Sequence, residues 1–407
     1  MLILSHPTGN QFVKNALEAF QECNILKEFI TGYAGFSSNS IHNFLKTFIK
    51  DFSRREYPEV FKDYTIAKPS DELIRLLIQR SKYLKKISPI NSYFSIDSNF
   101  HRHDLFVAQR IAKGIQNLKM VYAYEDAAFQ TFEIAKAKNL IRFYDLPIGY
   151  WKAGQHWQEM AANNQPYLLN TIRGLSEPVQ KIERKENELQ LANHIIVASN
   201  FTKSTLIETP YYEKTIVIPY GFPTPVLAKK QLTIKKLKVL FVGGLTQRKG
   251  IGEVLDSMKS FQNQIELTVV GQLTEKTNLE LINKLKQHHW INSLPHSEIL
   301  KVMDEHDVLL FPSWFEGFGL VISEAMSRGL PVITTQNTGA NEFIKNGING
   351  WLINPGETDK IESILDDVLA NRSKLIEMSE AAISTAKERP WSNYKSDLAN
   401  FVIQQNV

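Results

Sequence analysis

A chain of 407 residues that is 43% hydrophobic and 22% charged has the balance of a folded protein and the length of two ordinary domains, which excludes the disordered and fibrous classes. Its formal net charge of +4 is too small and too dispersed for a nucleic-acid-binding face. With Cys23 as the only cysteine, neither an intramolecular disulfide nor a cysteine-rich zinc site can form, and the residue reads as a small, half-buried hydrophobe.

The chain opens on Leu2–Leu4, a run too short for a signal-peptide core and shaped like the first buried strand of an α/β domain. No stretch approaches the ~18 apolar residues of a membrane span, so a cytoplasmic protein is expected. Residues 36–115, rich in Phe, Tyr, Lys and Arg, read as an insertion decorating the first domain. Within it Asp71–Lys86 is amphipathic, and Arg75, Arg80, Lys82, Lys85 and Lys86 fall on or near one helix. That face suits solvent, or peripheral membrane contact through anionic lipid headgroups. His101, His103 and Asp104 read as surface residues rather than a metal site, and no D-x-D pair occurs. Met120–Ala123, Leu140–Tyr144, His194–Ala198 and Thr215–Ile218 read as further buried strands.

Pro219–Lys236 holds three prolines and a basic stretch, the composition of a connector. It separates a first domain, 1–225, from a second, 237–388. In the second, strands at Lys238–Val242, Ile265–Val270, His289–Ile291, Val308–Phe311, Val332–Thr335 and Trp351–Ile353 alternate with helical patterns, among them Gly319–Arg328 and Ala340–Lys345. Repeated strand–helix–strand units imply right-handed crossovers and a doubly wound parallel sheet. A last helix behind Arg389–Pro390, with Ser392 as candidate N-cap, is placed across the first domain.

Asp307–Gly329 carries the most chemistry. A buried strand runs into Pro-Ser-Trp-Phe and then into a glycine-bracketed helix start. The loop after such a strand lies where open α/β sheets bind ligands, and Gly317 and Gly319 let backbone N–H groups approach an anion at the helix N-terminus. Glu316 precedes that point and Glu324 lies ~7 Å along the helix from Gly319. Ionised carboxylates accept from hydroxyl groups, one suiting a sugar and one a ribose. A second loop, Gly243–Gly250, follows the strand KVLFV and leads into a helix, with Arg248 and Lys249 offering charge to a diphosphate. It matches neither the dinucleotide fingerprint nor the P-loop, so neither hydride chemistry nor ATP hydrolysis is indicated.

The stretch EGFGLVISEAMSRGLPVI resembles the E-x7-E signature of retaining glycosyltransferases of the GT-B fold, in particular glycosyltransferase family 4. The V-G-G-L…R-K-G turn, Leu294-Pro295, Gly339-Ala-Asn-Glu and Asn346-Gly-Ile-Asn-Gly are similar to family features, and together they cover most of residues 237–371. The resemblance implies two Rossmann-like domains facing across a cleft, a nucleotide diphosphate sugar (UDP- or GDP-linked) as donor, a glycan or glycolipid acceptor, and no cofactor or metal. Carried over by residue, it implies Glu316 at the donor sugar and Glu324 at the ribose. Phe318, Gly319 and Leu320 would lend N–H groups to the diphosphate, with Gly243 and Gly244 in the turn beside it. Arg248 and Lys249 would neutralise the leaving group, and Asn292 to Leu294 would border the base. Gly244 departs from the family, many members of which have arginine there. In the first half Gly9 lies in a loop resembling the family's first glycine loop, and Asp145 is the nearest equivalent of the histidine that members place near the transferred sugar. The expected activity is retaining transfer, hexosyltransferase in type, in surface polysaccharide, lipopolysaccharide or glycolipid biosynthesis. A sugar phosphorylase or a non-catalytic sugar-binding subunit on the same fold is the alternative.

Overall fold

The computed structural model describes the chain except residues 49–51, 53, 81–94, 173, 227–235, 262, 274–277 and 406–407. Two parallel sheets form. The first contains β1 (Leu2–Ser5), β2 (Leu26–Thr31), β3 (Thr65–Ala67), β4 (Met120–Tyr124), β5 (Ile141–Asp145), β6 (His194–Val197) and β7 (Thr215–Val217), in the order 3-2-1-4-5-6-7. The second contains β8 (Leu237–Val242), β9 (Ile265–Val270), β10 (His289–Ile291), β11 (Val308–Phe311), β12 (Val332–Thr335) and β13 (Gly350–Ile353), in the order 10-9-8-11-12-13. Helices cover both faces, so the strands are apolar runs rather than alternating ones: LIL, MVYAY, VLLF and VIT are buried throughout.

Strand order reverses between β1 and β4 and again between β8 and β11. Loops leaving such a pair diverge and open a crevice at the strands' carboxyl ends. In the second sheet those loops are Gly243–Gly250 and Pro312–Gly319; in the first they are His6–Asn10 and Glu125–Ala128.

Several features depart from the sequence reading. β2 was not legible, because LKEFIT carries Lys27 and Glu28 in a strand that is half-buried there. Residues 36–115 are only partly an insertion: β3 extends the sheet, and the helix Ile96–Ala112 buries Val107 and Ile111 in the first domain's core. Arg75 is withdrawn from any lipid-facing role, since its guanidinium is buried on Glu72 at 2.6 and 2.8 Å, with Asn99 donating to the same carboxylate. The side chain of Arg80, and Lys82, Lys85 and Lys86, lie outside the described residues. Cys23 is exposed, just past the end of the helix Gln11–Glu22.

The last helix, Trp391–Gln404, starts after Pro390 rather than at Ser392. It lies on the first domain: Lys395 Nζ donates to Glu22 Oε1 at 2.7 Å and the Phe401 ring meets His194 edge-on. The chain therefore passes twice between the domains, and the two passes are paired, with Phe222 N donating to Arg389 O at 2.7 Å. A Cβ on Gly221 would stand 2.3 Å from Trp391 Cα, a backbone atom that cannot swing away. Gly221→Ala is expected to destabilise the chain by roughly 1–3 kcal/mol, as overpacking does. An unchanged urea midpoint would show that the two passes are free to separate.

Candidate active site

The crevice of the second sheet is assembled by backbone bonds between its loops. Arg248 O accepts from Trp314 N at 2.9 Å and from Ser313 Oγ at 3.0 Å, while Glu316 N donates to Asn337 O at 3.1 Å. Loops after β8, β11 and β12 are thus fixed against one another. The short 3-10 turn Gln247–Lys249 ends at Gly250, whose φ of +76° and approach to Pro312 O exclude a side chain.

This lacing brings three of the expected residues into contact. Lys249 Nζ forms an ion pair with Glu316 Oε2, and Arg248 Nη1 lies 3.3 Å from the same oxygen while donating to Phe315 O at 2.7 Å. Burial pushes the Arg248 guanidinium down to about 10; burial first, and then Arg248 beside it, push the Lys249 ammonium well below its ordinary value. The site is a compact cluster of positive charge held in check by one carboxylate, ready for a ligand bearing more negative charge.

Immediately after Glu316 the chain turns through Gly317 and Gly319 into the helix Leu320–Ser327. Their roles differ. Gly319 takes φ +81° at the N-cap and its carbonyl accepts from Ile322 N at 2.8 Å, while Leu320 and Val321 open the helix, where backbone N–H groups have no intrahelical acceptor. Gly317 instead lets the domains touch: a Cβ there would stand 2.0 Å from Pro147 O, and its own carbonyl accepts from Ser199 Oγ and Thr202 Oγ1 of the first domain. Phe318 is buried, edge-on to Tyr220 of the connector, so only its backbone is available. Leu320 opens the helix half-buried.

Glu324 projects from that helix to His296, with Oε1 2.9 Å from Nε2. The hydrogen bond to Glu324 raises the imidazole above its ordinary value. His296 was missed in the sequence, although its place beyond β10, directly after Leu294-Pro295, was a signal. In the same stretch Asn292 is exposed and Leu294 half-buried. Gly243 is packed where Gly271 approaches its carbonyl, whereas Gly244 has open space around it.

Across the cleft, a cavity of about 420 Å³ is shared by Arg248, Thr246 and Phe315 of the second domain and Glu125, Lys185 and Trp151 of the first. Glu125 lies 3.3 Å from Lys185 Nζ; burial raises its carboxyl above the ordinary range. Asp145 lies on β5, one strand away from the β1/β4 switch, is 2% exposed, accepts from Tyr122 Oη at 2.6 Å and does not line this cavity. Burial raises it to about 7. The loop after β4 at the switch point brings two carboxylates, Glu125 and Asp126, to the cavity. Gly9, at φ +65° under Tyr57 Oη, has its N–H on His6 Nδ1 at 2.8 Å and does not border this cavity.

Glu253 was also missed. Its buried carboxylate accepts from Gln247 Nε2, Trp314 Nε1 and, from the first domain, Asn164 Nδ2 at 2.7 Å. The expected helix at Ala340–Lys345 is only a 3-10 turn, Gly339–Glu342, because Gly339 lies against Phe318 and Glu342 reaches out to Asn200 N at 2.7 Å. His103 and Asp104, read as surface residues, are buried: His103 meets Ser5 Oγ and Asp104 accepts from Gln130 N and Thr131 N. Among the described residues no three His, Cys, Asp or Glu side chains gather as metal ligands, and no helix is long and apolar enough to cross a membrane.

Two parallel-sheet Rossmann-like domains facing across a cleft define the GT-B architecture. Solved structures agree along nearly the whole chain: sucrose-phosphate synthase from Thermosynechococcus elongatus superposes with a TM-score of 0.70 at 16% identity, covering 99% of this chain and 98% of that one. HepE from Anabaena, in complex with UDP-glucose, gives 0.64 at 16% identity, covering 99% of both. Residues 225–389 match the family model of glycosyl transferases group 1, so the second domain is a domain of that kind. The amylovoran biosynthesis glycosyltransferase AmsK of Erwinia amylovora is 31% identical over 147 residues, which is 32% of this chain and 35% of that protein. The matched stretch spans from 19% to 41% of the length of the first such relatives.

Proposed function

We propose that this protein transfers a sugar from a nucleotide diphosphate sugar to an acceptor hydroxyl with retention of configuration, as a hexosyltransferase of the family 4 type. The observation that carries the reading is the convergence of Arg248 and Lys249 on Glu316, directly ahead of a helix start that also bears Glu324. A diphosphate brings more negative charge than one carboxylate. On binding it takes over the two cations, and Glu316 is released to accept from a hydroxyl of the transferred sugar. Charge then develops on the departing diphosphate, where Arg248, Lys249 and the N–H groups after Gly319 stabilise it. Glu324 accepts from the ribose.

The neighbour crystallised with UDP-glucose supports a UDP-linked donor over a GDP-linked one. The relative named for amylovoran synthesis supports a setting in polysaccharide, lipopolysaccharide or glycolipid assembly, in the cytoplasm with access to the membrane face. Thermal-shift measurements against UDP, GDP, ADP and CMP test this directly, since a ligand that binds only the native state raises its apparent stability. UDP is expected to give the largest shift. Fixed cations take the place of a divalent ion, so transfer should persist in EDTA; a loss that Mg²⁺ or Mn²⁺ restores would assign charge neutralisation to other groups.

A pH effect follows from His296. A ribose hydroxyl that takes Glu324 removes the bond that raises the imidazole, so His296 falls back toward its ordinary value and sheds its proton. Nucleotide binding should therefore release protons near neutral pH and strengthen as pH rises from about 6 to 8, where the His296 contact weakens. Calorimetry in buffers of different ionisation enthalpy measures the release, and His296→Gln should abolish it. Equal proton release in the variant would remove Glu324 from the ribose site.

A further inference from the structure

The helix Trp151–Asn164 separates two cavities. Trp151, Gly154 and Gln158 face the cavity beside Arg248, while Ala153, His156 and Trp157, on its opposite face, line a larger one of about 920 Å³. The larger cavity has no part in the chemistry above, and its volume lies at the upper end of the range for small-molecule sites.

One wall is aromatic, built from Tyr150, Trp157, Phe201 and Tyr211. Its rings are fixed in an unusual way. Glu186, from the helix Val179–Leu191, accepts from Tyr150 Oη at 2.6 Å, Tyr211 Oη at 2.7 Å and Trp151 Nε1 at 2.5 Å, so one carboxylate orients rings on both sides of the dividing helix. The other wall comes from the second domain and consists of amides: Gln336, Asn337 and Asn341. Asn337 is tied to the donor loop, through Glu316 N on its carbonyl and its own Nδ2 on Trp314 O at 2.9 Å. The walls are joined where Asn200 donates twice to Glu342 at 2.7 Å.

The lining selects a ligand class. A phosphate or polyanion would need cations, and among the described residues Lys152 is the single lysine or arginine there, set against Glu186 and Glu208. A lipid tail would desolvate the amides and carboxylates without replacing their hydrogen bonds. Rings beside amide edges instead match a pyranose, whose C–H faces stack on aromatic carbon and whose hydroxyl edges bond to amides. We propose that this groove is an auxiliary oligosaccharide site, holding part of the acceptor chain away from the reacting end. Holding the chain there raises the effective concentration of its end at the reaction cavity. The proposal rests on the transfer reading for the acceptor's identity, but not for the groove's chemistry.

The full-length protein is to be tested on an immobilised array of microbial polysaccharide fragments, from single sugars to tetrasaccharides and longer. Wild type is compared with Trp157→Ala and with Asn341→Ala, an exposed position whose Nδ2 donates to Gln336 O at 2.7 Å. The expected result is retention of at least one oligosaccharide class, weakened tenfold or more in both variants, with the UDP thermal shift unaltered. Absence of any bound oligosaccharide, or binding indifferent to both substitutions, overturns the site. If wild type gives no shift with UDP, GDP, ADP or CMP yet binds glycan through this groove, the transfer reading falls and the groove stands; a nucleotide shift without glycan binding does the reverse.

Discussion

Glu316→Gln should abolish most turnover while leaving UDP bound at least as tightly as before. In the donor-free site Glu316 occupies the cations that the diphosphate needs, with Lys249 on Oε2 and Arg248 at 3.3 Å. Removing its charge ends that competition, so UDP affinity is expected to hold or rise. The reaction tells the other way. As the glycosidic bond breaks, positive charge grows at the anomeric carbon, and a carboxylate on a neighbouring sugar hydroxyl stabilises it more than it stabilises the bound donor. An interaction stronger in the transition state than in the ground state appears in kcat rather than in binding. The expected fall is on the order of 10²–10³-fold, the cost of losing one well-placed electrostatic group. Calorimetric UDP affinity alongside single-turnover rates separates the two effects. A variant that loses UDP while turning over normally would place Glu316 on the nucleotide.

The second domain was legible because its crossovers are short and its central strands, such as VLLF and VITT, are buried runs, so strand identity and loop position followed together. Arg248, Lys249 and Glu316 lie in loops from two different strands, and knowing that those strands are neighbours is enough to bring them together. What sequence could not show was contact across the cleft. Gly317 reads as a glycine for anion approach, yet its missing side chain makes room for Pro147 O of the first domain. Glu253 reads as an ordinary helix residue, yet its carboxylate joins Asn164 to Trp314.

The first domain failed for a related reason. β2 and β3 are separated from β4 by a long connection that includes the helices Pro69–Arg80 and Ile96–Ala112, and a three-residue edge strand such as Thr65–Ala67 has no periodicity to detect. Without β2 and β3 the switch point cannot be located, and Asp145 and Glu125 are equally good strand-end carboxylates. The order 3-2-1-4-5-6-7 sets them apart: Glu125 follows β4 at the reversal, while Asp145 ends β5 among tyrosines.

Lys249→Met should lose nucleotide without losing the fold. Methionine keeps an unbranched stem beside the Phe311 ring, over which Lys249 Nζ lies at 5.2 Å, and deletes only the ammonium. Hydrogen bonds to charged groups contribute about 1.5–3 kcal/mol, so UDP affinity should fall roughly 10- to 150-fold. Arg248→Met should cost less, because Arg248 Nη1 is already committed to Phe315 O at 2.7 Å. Stability should move in the opposite direction. Lys249 is held below its ordinary value by burial and by Arg248, so between its folded and unfolded pKa the unfolded chain binds more protons, and the native state gains stability as pH rises through that window. Below that window the buried ammonium costs the fold stability, as the proposed reading expects of a side chain that serves a ligand. Replacing it with an apolar side chain is expected to leave the melting temperature unchanged or raise it, and to flatten its rise with pH on the alkaline side. A sharply lowered melting temperature with UDP affinity intact would mean that the lysine serves to hold Glu316 in place, and that the diphosphate binds elsewhere.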